Sequence, residues 1–344
     1  MFVKKNACEV PNDPTILEQM RSLYPKENIV LNVTTVAEWF REWHGNHTIH
    51  LGKSTRYTYS VSIHCHIIRV LGHLRLDEIS FEDCQLFVNS LMVGCGLSAP
   101  LQPKTIHNYF GVLHVGLETA KKMGLITSNP ADGVMLPAIP QYAYHPLNQE
   151  QLKALYKRLK NHPKRDLFLF TLYTGLRQGE IIGLTWSALD LPNQTMNVYR
   201  QIQYNKDTNE YYWCDPKGGR TRVLALNRHA MDILIKLDAQ MQHDPDDFVF
   251  PSRVGTHLTP PAVYDSFKKV ISSIGCEKVR FHDLRHTYAV MSLQAGMDPK
   301  TLQYNLGHFS AAFTLDVYCH CIDEMKRKAA ERLDVFFDNL FDSI

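Results

Sequence analysis

The stretch Thr174–Trp186, TGLRQGEIIGLTW, decides how the second half of the chain is read. The apolar run before it, KRDLFLFTLY, has helical spacing and stops at Gly175, and a second helix restarts with Arg177 at its head. An arginine beside the backbone N–H groups of a helix start suits an oxyanion or a phosphate. The plainer alternative is a solvated arginine in a helix–helix turn, and this segment alone weighs the two about evenly.

Toward the C-terminus come three runs rich in Val, Ile, Tyr and Thr, namely TMNVYRQIQY, EYYWCDP and TRVLALN, which predict strands. Lys217, in the Lys-Gly-Gly between the last two, is expected in a hairpin loop that can swing an ammonium over a ligand; a solvated turn lysine is the plainer reading. In HDLRHTYA, His282 and Arg285 are three apart and predicted to share a helical face. With 17 His and as many Arg, such a pair arises about once by chance. His282 and His286 are also four apart, but the first His lacks the following Glu of a zinc-protease helix, so no metal is expected. LGHFSAAFTLDVYCH then supplies His308, after a glycine at a helix break, and Tyr318, which by itself reads as core packing. The final segment, IDEMKRKAAERLDVFFDNLF, predicts an amphipathic helix with Met325, Ala329, Leu333, Phe336, Phe337 and Leu340 on its apolar side.

Toward the N-terminus, prolines at 130, 137, 140 and 146 punctuate a linker-like stretch. Four helical stretches precede it. One starts at Thr34 or Thr35 and aligns Val36, Trp39, Phe40 and Trp43; the others follow Ser54 to Gly72, follow Ser80, and run from Pro103 to Gly124. Lys121 and Lys122 fall in the last turn of the fourth, where the helix dipole favours cations. Residues 1–32 carry little period and read as an arm. The fold class expected is mainly α with a small antiparallel sheet: arm 1–32, all-α domain 33–137, linker 138–146, α+β domain 147–325, and a C-terminal helix 326–344.

The 344 residues suffice for two domains. With 44% apolar and 21% charged residues, wholesale disorder and low-complexity architectures are excluded. No apolar run approaches the roughly 18 residues that would span a bilayer, and MFVKKNACEVPND lacks the apolar stretch of a signal peptide, so no membrane and a cytoplasmic location are expected. Eight cysteines without a Cys-x-x-Cys pair suggest neither a disulfide framework nor a zinc ribbon. The net charge is only +2, but it divides into zero over residues 33–137, +5 over 146–329 and −3 over 330–344. Any phosphate-binding surface is therefore local.

Taken together, two arginines, two histidines, a lysine and a tyrosine supply guanidinium clamps, proton carriers and a hydroxyl nucleophile, the inventory of a phosphoryl transfer without a metal. Carboxylate clusters of a two-metal nuclease are missing from these segments.

In that order these segments resemble the tyrosine recombinase, or phage integrase, family over roughly residues 33–325. TGLRQGE is similar to the family's first arginine box, PKGGRTRVLAL to its lysine hairpin, HDLRHTYA to its His-x-x-Arg box, and LGHFSAAFTLDVYCH to its second-histidine and tyrosine box. The resemblance implies that Tyr318 attacks the scissile phosphate to form a 3′-phosphotyrosine, that Arg177 and Arg285 bind the non-bridging oxygens, and that Lys217 protonates the leaving 5′-oxygen. It gives His282 proton transfer at the tyrosine and His308 a hydrogen bond to the phosphate, with no cofactor. Its helical domain would clamp a double-stranded recombination site, with Lys53, Arg56, Lys104, His107, Lys121 and Lys122 as candidate phosphate contacts; each is equally well a solvated charge. It further implies a tetramer of the chain on DNA, coupled by the last helix, with an excisionase or DNA-bending protein as the accessory it allows. Residues 1–32 are too short for a typical arm-binding domain. The competing expectations are a type IB topoisomerase-like enzyme and a catalytically silent DNA-binding regulator; the helical domain and last helix favour recombination, and a mere binder has no need of Tyr318.

Overall fold

The computed structural model describes residues 35–94, 99–140, 144–240 and 242–307, together with 330–341 apart from 332, 336 and 339. His308, Tyr318, Met325, Ala329 and Phe336 lie outside the described residues, as does the arm 1–32. The chain divides into two compact units, Met1–Pro140 and Gln141–Ile344.

In the first unit α1 (Val36–His47) starts with a reciprocal cap: Thr35 Oγ1 accepts from the Glu38 N–H, and the Glu38 carboxylate accepts from the Thr35 N–H. Its Val36, Trp39, Phe40 and Trp43 are buried, as their spacing predicts. α2 (Lys53–Ser62) continues through a π-helical turn (Ile63–Ile67) into α3 (Ile68–Leu71). The wider turn keeps Ile63 and Ile67 in the core while His64 and Cys65 face outward. α4 (Phe81–Val93) repeats the cap with Ser80 and Asp83, and α5 (Pro103–Lys122) opens on a proline whose missing N–H has no helical partner to lose. Both buried indoles find acceptors on α5: Trp39 Nε1 donates to Gly116 O at 3.0 Å and Trp43 Nε1 to Thr119 Oγ1 at 3.1 Å.

The second unit begins with α6 (Gln149–Leu159), capped by Asn148, and α7 (Arg165–Thr174), buried on nearly every side. The short α8 (Gln178–Ile182) leads into β1 (Leu189–Asp190), β2 (Thr195–Val198), β3 (Gln201–Asn205), β4 (Glu210–Cys214) and β5 (Arg222–Ala225). Then follow α9 (Arg228–Gln240), α10 (Pro260–Ser272), α11 (Asp283–Gln294) and α12 (Pro299–Leu306). α7 and α11 pack on each other at the centre.

The strands correct one expectation. β4 and β5 do not pair, so Lys217 is not at the tip of a hairpin between them: β3 pairs with β4, β2 with β5, and the two small sheets are separate. Val198 is opposite Arg222 and Gln201 opposite Cys214, so residues 215–221 loop out against Tyr199 and Arg200 alone. Within that loop Gly219 N–H bonds to Pro216 O at 2.8 Å, a tight turn with Lys217 and the positive-φ Gly218 (+87°) at its centre.

Near the C-terminus the described residues of 330–341 are helical, with Leu333, Phe337 and Leu340 exposed. Among the described residues no helix is long and apolar enough to cross a membrane.

The first unit's packing predicts opposite signs for two α5 substitutions. A Cβ at Gly116 would meet the Phe40 ring at 2.3 Å, whereas Gly111 has nothing within 4 Å. Gly116→Ala should lower stability by about 1–3 kcal/mol, and Gly111→Ala should raise it by about 0.5–1 kcal/mol, read as urea-denaturation midpoints.

Candidate active site

α8 begins where α7 ends, and Gly175 makes the corner. Its φ of +65° suits glycine, and a Cβ there would lie 2.4 Å from the Tyr288 ring. The corner places Arg177 as the residue before α8 and Glu180 in its first turn. Glu180 is 2% exposed. Its Oε1 accepts from Arg177 Nη1 (2.9 Å) and Arg222 Nη1 (3.0 Å), and its Oε2 from Arg222 Nη2 (2.7 Å) and the Arg177 backbone N–H (2.9 Å). One carboxylate thus ties the α8 arginine to the first residue of β5.

The same arginines converge on the end of α12. Arg222 Nε donates to Asn305 O (2.7 Å), Arg285 Nη2 to Leu306 O, and Arg177 Nη2 to Gly307 O (2.9 Å). Three consecutive carbonyls at a helix C-terminus, where the backbone dipole is negative, each accept from a different guanidinium. Arg285, 2% exposed, also donates to Gly175 O at 2.8 Å and so binds the α7 corner to the α12 end. Two of the three guanidinium groups share the one Glu180 carboxylate, and the third, that of Arg285, ends on backbone carbonyls. The surplus positive charge is what an anion would neutralise.

Burial raises the Glu180 carboxyl's pKa, but the hydrogen bonds and charge of Arg222, followed by Arg177, outweigh it and hold the group down at about 2. His282 immediately precedes α11 and keeps an open face to solvent. Surrounding protein, then Arg285, Arg177 and Arg280, hold its imidazole below the ordinary value, with Asp283 opposing. At neutral pH it is uncharged and able to accept a proton.

The structure therefore brings Arg177, Arg285 and His282 together. Lys217 rides the exposed turn that leads into Arg222. Of the expected DNA contacts, Lys53, Lys104, Lys121 and Lys122 are exposed and Arg56 is half-buried. His107 is engaged: its Nε2 donates to Pro137 O at 2.8 Å, tying α5 to the segment that precedes the linker. Lys104 and Lys122 stand at opposite ends of α5, about 27 Å apart at 1.5 Å per residue. Glu180 and Arg222 were missed by sequence reasoning. The available signal was the alternation in RVLAL, which puts Arg222 on the inward face with Leu224 and Leu226.

The family model described as phage integrase family matches residues 145–325, more than half of the chain. The chain belongs to the phage integrase family, that of the tyrosine recombinases. The model for the phage integrase N-terminal SAM-like domain matches residues 35–92. A "Tyrosine recombinase XerC-like" protein of Caldanaerobacter subterraneus is 26% identical over 260 residues, 68% of this chain. The chain thus spans 66% of that relative's own length. Among solved structures, the Tn1549 transposon integrase in complex with a circular intermediate DNA superposes with a TM-score of 0.74 at 23% identity, covering 87% of this chain and 99% of that one. A lambda integrase tetramer bound to a Holliday junction gives 0.61 at 17% identity, covering 88% and 86%. Both show the same fold.

Two stability predictions follow from the charges. Glu180→Gln should destabilise the fold by about 3–5 kcal/mol, because it strands buried guanidinium charge, measured by urea denaturation at pH 7. Acid should act in two stages. His286, 5% exposed, is depressed by burial and by His282 to about 4, so the unfolded chain takes up protons first and stability should fall from pH 6.5 toward 4. Glu180 stabilises the fold above its ordinary value near 4.5, and that contribution should be lost as pH falls toward about 2. Urea midpoints against pH check both windows.

Proposed function

We propose that the chain is a site-specific DNA recombinase, an integrase that inserts or excises a phage or mobile element by cleaving and rejoining strands through a 3′-phosphotyrosine. The observation that carries this reading is the convergence of Arg177, Arg222 and Arg285 on the end of α12, immediately before His308 in the sequence, with the buried Glu180 carboxylate shared by Arg177 and Arg222.

Arg177 and Arg285 hold the non-bridging oxygens of the scissile phosphate and stabilise the charge that grows in the pentacovalent state. The Tyr318 oxygen forms its bond to phosphorus as the bond to the 5′-oxygen breaks. His282, neutral at pH 7, assists removal of the tyrosine proton; Lys217 delivers a proton to the departing 5′-oxygen, and the loop-out gives it the reach to do so. His308 donates a hydrogen bond to the phosphate. The phosphotyrosine retains the energy of the broken bond, so a 5′-hydroxyl from another strand reverses the step without a nucleotide or other cofactor.

The division into arm 1–32, clamp 33–137, linker 138–146, catalytic domain 147–325 and exchange helix 326–344 belongs to the same reading. Lys53, Arg56, Lys104, Lys121 and Lys122 meet phosphates, while His107 is held within the clamp by Pro137 O. Four protomers assemble on the recombination site in the cytoplasm, the exposed Leu333, Phe337 and Leu340 docking on a neighbour, with an excisionase or DNA-bending protein as accessory.

A nicked suicide duplex carrying the element's end sequence tests the nucleophile. Wild type should form an SDS-stable adduct and Tyr318→Phe none; an adduct from the variant contradicts the assignment. Lys217→Ala should cleave slowly on the ordinary duplex and recover on a 5′-bridging phosphorothiolate, whose leaving group needs little protonation. Failure of that recovery removes Lys217 from the proton-donor role.

A further inference from the structure

His286 follows Arg285 directly on α11 and takes no part in the chemistry assigned above. Its ring is buried and meets the His282 ring edge to face, centroids 5.0 Å apart at 83°. On another side it meets the Tyr144 ring, centroids 4.4 Å apart. Tyr144 belongs to the segment entering α6, and that segment is anchored to the same helix. The Leu147 N–H donates to Thr287 Oγ1 at 3.0 Å, and Thr287, fully buried, donates to Asp283 O at 2.7 Å. Asp283 in turn accepts from the Arg280 backbone N–H at 2.8 Å. The first turn of α11 is thus fixed from both ends, and His282, at its head with an open face to solvent, has the ring of His286 as a wall.

We propose that His286 is a positioning residue that holds the His282 imidazole against the arginine cluster by ring packing, and that Tyr144 holds His286 in place. The inference rests on the reading of His282 as the proton acceptor at the tyrosine. Ring contact, rather than charge, is the operative property, because edge-to-face packing fixes an imidazole's rotation while leaving its nitrogens available. Among the described residues, the charged and titratable groups around the pair are Arg177, Arg280, Asp283, Arg285 and Tyr144. The His286 ring covers one side of the His282 imidazole, so removing that ring should let water reach it and let His282 titrate nearer its ordinary value.

The test pairs His286→Ala with His286→Phe, which keeps a ring without its nitrogens, and adds Tyr144→Ala outside the helix. Imidazole NMR titration of the full chain without DNA reads His282 directly. Its midpoint should rise in His286→Ala and Tyr144→Ala and stay low in His286→Phe. On the nicked duplex at saturating protein, His286→Ala should form adduct roughly 10- to 100-fold more slowly with DNA affinity within about threefold of wild type, and His286→Phe should recover most of the rate. An unmoved His282 midpoint in folded His286→Ala overturns the proposal. So does failure of His286→Phe to recover the rate while it melts like wild type. His282→Ala is the control: if it cleaves at the wild-type rate, the role of His282 falls instead.

Discussion

Glu180 is the point on which the site depends. A carboxylate with almost no solvent survives as an anion only if its lone pairs are filled and its charge is met, and here two guanidinium groups and a backbone N–H do both. The consequence is structural before it is chemical. α8 and β5, distant in sequence, are fastened at one atom group, which fixes where Arg177 points. Removing the carboxylate would leave two arginines repelling each other where water is scarce, the Arg222 side chain being only 2% exposed.

The end of α12 completes the arrangement. Among the described residues no helical N–H meets its last carbonyls, and arginines from the start of α8, from β5 and from α11 supply the donors. The same bonds hold three cations close together and offset the repulsion between them. Phosphate binding by this route needs little net charge. A chain of total charge +2 concentrates its cations where the backbone and Glu180 make their proximity bearable, and the excess is available to a phosphate rather than spread over the surface.

Local signals and tertiary ones differ in how far they can be read from the sequence. Thr35, Ser80 and Asn148 each sit three residues before a Glu, Asp or Gln, and each does cap a helix. Trp39, Phe40 and Trp43 are buried as their spacing requires. Arg177, His282 and Arg285 were legible because they lie at helix starts or on one turn, and because their order resembles a known family. The partners of these residues were not legible. Whether Glu180 meets Arg222 depends on the register of β2 with β5, which no local pattern encodes. The failure of β4 to pair with β5, and hence the loop-out that carries Lys217, follows from the same long-range register. The bond of His107 to Pro137 O is likewise made across a fold that spacing alone does not reveal.

The central claim is that Arg177 and Arg285 act on the charge of the scissile phosphate, and charge can be removed from the substrate itself. A duplex whose scissile phosphate is a methylphosphonate lacks one anionic oxygen. The rate of adduct formation would be compared for wild type and Arg285→Ala on both duplexes. If the arginine acts by neutralising that oxygen, the large deficit of the variant on phosphate should shrink severalfold or more on methylphosphonate. An equal deficit on both duplexes would contradict the account and leave Arg285 as a residue of the fold alone.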